Sequence, residues 1–205
     1  ARGLARSTSK PAARQLDPKQ HLPAMNALFP FFWTLGWAFL TQVLLFQHGQ
    51  FWGGYSLLAV HLYGLLKMPV GWPPTTYLMV TAVTGACMDL VCLTGGMHLA
   101  ASVTLGMAYP SLTAAFESRE GLRQGHILDP YEDGWMRYAG FLASGIAMYW
   151  VVLFGLQNGW SLLGRTMGQM LTSTLLNVGT FLLIQGLLNR PRRGDGRNVS
   201  AYPWN

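Results

Sequence analysis

Asp89 is the only charged side chain between Lys67 and Glu117, and it lies in the run GACMDLVCLTGGMHLAAS from Gly85 to Ser102. Close behind it come the glycine pair Gly95 and Gly96, then His98, and then the small residues Ala100, Ala101 and Ser102. An ionised Asp at the centre of a membrane span costs about 2.5–3.5 kcal/mol on insertion scales, so a partner or a task is the expectation. Three roles fit a lone carboxylate here. It can accept hydrogen bonds from neighbours or from helix-end amides across the Gly95–Gly96 turn. It can bind a cation or substrate or relay a proton, or it can face a cation on another membrane protein. A helix hairpin would return His98 to the level of the last turn before the glycines, which makes an Asp89–His98 hydrogen bond one arrangement.

Cys87, Asp89, Cys92 and His98 are all metal-ligand types, but their spacing matches no zinc pattern, so no metal or cofactor is expected. Five residues apart on a helix, the two cysteines point about 140° from each other, which excludes a disulfide between them. The chain shows no nucleophile–base set, phosphate loop or dinucleotide fingerprint. The expectation is a protein that is not an enzyme. A second polar group stands near the C-terminal end, where Gln169, Thr172, Ser173, Thr174, Asn177 and Thr180 interrupt an apolar run. Ser173 and Asn177 are four residues apart and share a helix face, where they can join helices or line a cavity.

These side chains need elements to hold them, and the composition says which kind. The chain has 205 residues, of which 51% are hydrophobic and 11% charged, less than half the charge of an ordinary soluble domain. No Lys, Arg, Asp or Glu occurs between Leu22 and Leu66. Uncharged runs of about 20 apolar residues read as membrane spans, and many Trp and Tyr fall near their ends, where aromatic belts lie. The expected fold is an all-α integral membrane protein of six transmembrane helices. They cover about Asn26–Phe46, Tyr55–Leu66, Thr75–Leu93, His98–Phe116, Arg137–Gln157 and Arg165–Leu188. The domain layout is a basic disordered tail over residues 1–23, a transmembrane domain over 24–189, and a basic tail over 190–205. Glu117 to Asp133 gathers most of the acids into one solvated loop. Ala139, Ala143 and Ala147 form a small-residue row suited to close helix packing.

Six spans put both termini on one side of the membrane. That side receives Arg2, Arg6, Lys10, Arg14, Lys19, Lys67, Arg119, Arg123, Arg137, Arg190, Arg192, Arg193 and Arg197, which leaves only Arg165 opposite. By the positive-inside rule both termini are cytoplasmic. The basic tails suit anionic lipid headgroups, and nothing points to nucleic acid.

The Gly85–Ser102 segment resembles the rod shape-determining protein MreD family, in the form found in Bacteroidetes-like bacteria. The likeness rests on Gly85, Asp89, Thr94, Gly96, His98, Ala100, Ala101, Ser102 and Pro110. Leu40, Gln42, Val43, Gly54, Tyr55 and the Leu62–Pro69 stretch add to it, and it extends over about Phe31 to Leu188. The sequence departs from the family at Tyr109, where many relatives carry Arg, and in its long charged tails. The resemblance implies a non-enzymatic scaffold in the bacterial inner membrane, part of the machinery of lateral cell-wall elongation. It implies the bitopic protein MreC as partner, with a RodA-like transglycosylase and a class B transpeptidase as associates. It further implies a fold similar to the substrate-binding membrane subunits of vitamin transporters. The residues alone leave two other readings open, a small-molecule binding or transport subunit and an accessory subunit of a larger membrane complex.

Overall fold

The computed structural model describes residues 23–45, 50–51, 55–116, 125–159 and 163–188. The tails and the first part of the acidic loop lie outside the described residues. Among the described residues, seven helices and one two-residue strand pair follow each other along the chain. They are α1 (Pro23–Leu45), β1 (Gln50–Phe51), β2 (Ser56–Leu57), α2 (His61–Leu65), α3 (Pro74–Cys92), α4 (Met97–Ala115), α5 (Pro130–Asp133), α6 (Trp135–Asn158) and α7 (Leu163–Leu188). The protein is mostly helical. Among the described residues α1, α3, α6 and α7 are long and apolar enough to cross a membrane, consistent with a multi-pass membrane protein.

Five of the six predicted spans correspond to long helices whose ends fall within three residues of expectation. α4 is as long as α3 but is not among the four apolar candidates. It packs against both α3 and α6. Enclosed on two sides, it needs less apolar surface than a helix facing lipid, and Ser102, Tyr109 and Thr113 sit on its buried face.

The second predicted span, Tyr55–Leu66, is corrected. It is not a spanning helix. Ser56 and Leu57 pair antiparallel with Phe51 and Gln50, the chain stays irregular through Val60, and only His61–Leu65 is helical. Beyond the exposed Tyr55 most of the stretch is enclosed: Leu58, Ala59, Val60, His61, Leu62, Leu65, Leu66, Lys67 and Met68 are all buried. It lies along α7, with the Tyr55 hydroxyl against Gly168, Leu57 bonded to Ser173, Ala59 to Asn177 and Tyr63 to Gln185. From Gly168 to Gln185 a helix rises about 26 Å.

The helices meet through small residues. A Cβ on Gly85 of α3 would lie 2.8 Å from His98 O and Leu99 Cα and 2.9 Å from Ser102 Cβ of α4. Lower in the same pair, Gly106 of α4 faces Thr81 of α3. Leu105, Tyr109, Phe141, Ile146, Tyr149 and Trp150 fill the space between α4 and α6. The outer faces of α1, α3 and α7 expose Trp33, Met79, Leu90, Leu175 and Leu183, as lipid contact requires.

Candidate functional site

A helix start leaves backbone N–H groups without partners, and the residue that begins α4, Gly96, has no side chain with which to satisfy them. Gly96 is there because the turn needs φ of +97°. Asp89 supplies the missing acceptor from the neighbouring helix. Its Oδ1 accepts from His98 N at 3.0 Å and from the Thr94 hydroxyl, and its Oδ2 accepts from Leu99 N at 2.8 Å. Its backbone carbonyl meanwhile accepts from Leu93 N and Thr94 N, closing α3 with Leu93 in the left-handed region. One residue therefore ends α3 and begins α4, and its charge sits at the positive end of the α4 dipole.

His98 is tied to Asp89 through its backbone N–H, while its ring points elsewhere. Nδ1 meets the hydroxyl of Tyr149 on α6, and that hydroxyl lies 3.2 Å from Nε2 of His61 on α2. Ser102 is buried beside the same hydroxyl and against Gly85. The structure thus gathers Gly85, Asp89, Gly96, His98 and Ser102 into one hairpin and links that hairpin to the buried His61. A tyrosine hydroxyl has one proton and two lone pairs, so it can serve both imidazoles at once. Neither Tyr149 nor His61 stood out in the sequence, because each lies in an apolar or aromatic run with no spacing to mark it. Cys87 and Cys92 are unbridged and half-buried.

Ser173 and Asn177 lie far from the hairpin in function. Irregular backbone buried in a protein must find its hydrogen bonds there. Ser173 Oγ accepts from Leu57 N at 3.1 Å. Asn177 Oδ1 accepts from Ala59 N at 2.8 Å, and its Nδ2 donates to Leu57 O at 2.8 Å and to Ser173 O at 2.7 Å. From the other side, Gln42 of α1 accepts from Val60 N and donates to Leu58 O. These amides and the serine replace the helical ladder that residues 57–60 lack. Thr172 and Thr180, the remaining hydroxyls of the stripe with a clear role, bond back to carbonyls of their own helix.

A third polar group closes the opposite end. The Tyr63 hydroxyl donates to Gln185 Oε1 at 2.6 Å, and Gln185 Nε2 donates to Asp129 Oδ2 at 3.0 Å. Lys67, just past α2, is buried with its ammonium 3.3 Å from Leu128 O and over the rings of Tyr63 and Tyr138. Burial pushes its pKa down to about 8, against the pull of Asp129 and Asp133 in the other direction. Tyr109 donates to Met68 O at 2.6 Å and also reaches Leu66 O, so a phenol serves the carbonyls that follow α2. The sequence showed the charge of Lys67, the acids of the Glu117–Asp133 loop and Tyr109, but not that they meet.

Among the described residues no cluster of three or more His, Cys, Asp or Glu could hold a metal. One open cavity of about 240 Å³ lies between the connector before α3 and the end of α4, lined by Trp72, Tyr77, Pro110 and Thr113 among others. It is smaller than an ordinary small-molecule site, and none of Asp89, His98, Ser173 or Asn177 lines it. Comparison with family models, curated proteins and solved structures returns no match for this chain.

Proposed function

We propose that the protein is an MreD-like scaffold of the bacterial inner membrane that binds an MreC-like bitopic protein and takes part in cell-wall elongation without catalysing a reaction. The observation that carries this reading is the α3–α4 hairpin. Apart from the His98 ring, which reaches Tyr149, and Pro110, the polar and conformational residues of the resemblance motif build it: Asp89 and Thr94 as the cap, Gly96 as the turn, Gly85 and Ser102 as the close contact. A motif spent on its own fold suits a recognition element better than a catalytic one. A RodA-like transglycosylase and a class B transpeptidase would join the assembly through the same partner.

In this reading the chain crosses the membrane six times with both termini in the cytoplasm. Five crossings are α1, α3, α4, α6 and α7, and the sixth is the Tyr55–Leu65 segment, irregular at first and then helical, lying along α7. The charge asymmetry supports this orientation: Lys67 and Arg137 lie at the end that holds the acidic loop, while Arg165 begins α7 at the other. Co-purification of the tagged full-length chain with an MreC-like protein from the same genome tests the proposal. Stable association is the expected result, and its absence in both detergent and nanodiscs would overturn it. The transport reading would use Asp89, His98 and Asn177; Asp89 and Asn177 are engaged with backbone N–H groups and the His98 ring with the Tyr149 hydroxyl.

A further inference from the structure

The segment from Gly125 to Gly134 forms a strap across the end of the bundle that holds Lys67. Its start is fixed to the connector before α3 by two backbone bonds, Val70 N to His126 O and Gly125 N to Val70 O, both 2.8 Å. Its middle lies on the core: Leu128 is buried, and its carbonyl receives the Lys67 ammonium. Asp129 accepts from Gln185 of α7 and also begins the short helix α5 by accepting from Tyr131 N.

His126 closes the strap on itself. Its Nε2 lies 2.9 Å from Asp133 Oδ2, and its Nδ1 lies 3.7 Å from Glu132 Oε2. The same Asp133 oxygen accepts from Asp129 N at 2.9 Å. A neutral imidazole has one N–H and one bare lone pair. Whichever tautomer it took, one lone pair would point at a carboxylate. Only the imidazolium offers a donor on both sides. The charged groups around the ring are Glu132 and Asp133 on α5, Asp129 at its start, and Lys67 beneath Leu128.

We propose that His126 is a proton-operated latch on this strap: charged, it holds residues 125–134 closed over Lys67 and the Tyr63–Gln185 contact, and neutral, it lets them loosen. Histidine is the side chain whose ordinary charge change falls between pH 5 and 8. The latch engages on acidification, with the proton taken from water, since His126 is partly exposed. Loosening would uncover a lysine and a glutamine that the closed strap keeps from solvent.

Hydrogen–deuterium exchange of the full-length protein in nanodiscs decides the matter, with rates corrected for the intrinsic effect of pH. Peptides covering residues 67–74 and 125–134 are expected to be at least fivefold more protected at pH 5.5 than at pH 7.5, while a peptide from the middle of α6 shows no such change. His126→Gln should abolish the difference. Glu132→Gln, a substitution at an exposed position that cannot disturb the core, should shrink it. Equal protection of the strap at both pH values in the wild type would overturn the proposal. So would a pH difference that persists in His126→Gln or is undiminished in Glu132→Gln.

Discussion

At the scale of single residues, Asp89 and Lys67 are opposite cases of a charge in an apolar protein. Asp89 is surrounded by donors that need it, so its removal should cost what loss of a helix cap costs. Asp89→Ala leaves His98 N–H and Leu99 N–H without their acceptor and should lower stability by about 1–2 kcal/mol. Asp89→Asn keeps one acceptor oxygen and should lose less. Thermal unfolding in detergent, read by near-UV circular dichroism, ranks the two variants against wild type. Lys67 has a carbonyl and two ring faces for company, and the folded protein holds its proton less tightly than the unfolded chain does. Between pH 8 and 10.5 the unfolded state therefore binds more protons, and stability rises with pH across that window. The displacement from 10.5 to about 8 corresponds to about 3 kcal/mol. Unfolding midpoints taken from pH 7 to pH 10 should rise for the wild type, and the slope contributed by this group should vanish in Lys67→Met.

At the scale of elements, the chain shows how far an apolar pattern reaches. Length and lack of charge located α1, α3, α4, α6 and α7, because a run of about 20 apolar residues has few other ways to satisfy its backbone. The Tyr55–Leu66 run is only 12 residues long, and an apolar run of that length fits a buried strand as well as a helix. What keeps residues 57–60 irregular is Ser173, Asn177 and Gln42, which are distant in sequence. The polar stripe on α7 was legible as a stripe, but its occupant was a piece of the same chain. The Asp89–His98 contact could be read from the sequence as one outcome of a hairpin; the Thr94 hydroxyl on Asp89, and Tyr149, which extends the group to α2, could not. The dependence of the irregular segment on α7 is open to measurement. Asn177→Ala should strand Ala59 N–H and Leu57 O together and lower stability by roughly 2–4 kcal/mol. Ser173→Ala strands only Leu57 N–H and should fall short of that loss. If the two variants melt alike, the amide is not what holds the segment.

At the scale of the whole molecule, the two polar ends differ in kind. The hairpin end is closed by a cap and a glycine turn, and the Lys67 end by a strap of acids and a buried cation. In the proposed orientation the first faces away from the cytoplasm and the second toward it. With Cys87 and Cys92 replaced by alanine, Leu93→Cys should react with a membrane-impermeant maleimide in cells whose outer membrane alone has been opened. Tyr131→Cys should react only after the inner membrane is breached. Both positions are exposed, so access alone governs the labelling. The reverse pattern would invert the topology, and labelling of both sites from one side would remove a crossing.

The arrangement around Asn177 also bears on how the chain is made. Ala59 N–H receives its acceptor from a residue 118 positions later. At about 5–20 residues per second, ribosomes reach Asn177 roughly 6–24 s after Ala59. During that interval Leu57 and Ala59 lack the partners that Ser173 and Asn177 supply, and only Gln42 is already made for Leu58 O and Val60 N–H, so residues 57–60 cannot rest in the lipid interior on their own. They must wait in the translocon, at the bilayer surface, or against a chaperone until the last helix emerges. In the proposed six-crossing arrangement, completion of α7 is thus the event that commits the segment to the membrane, and a chain cut short before it is a natural substrate for quality-control proteolysis.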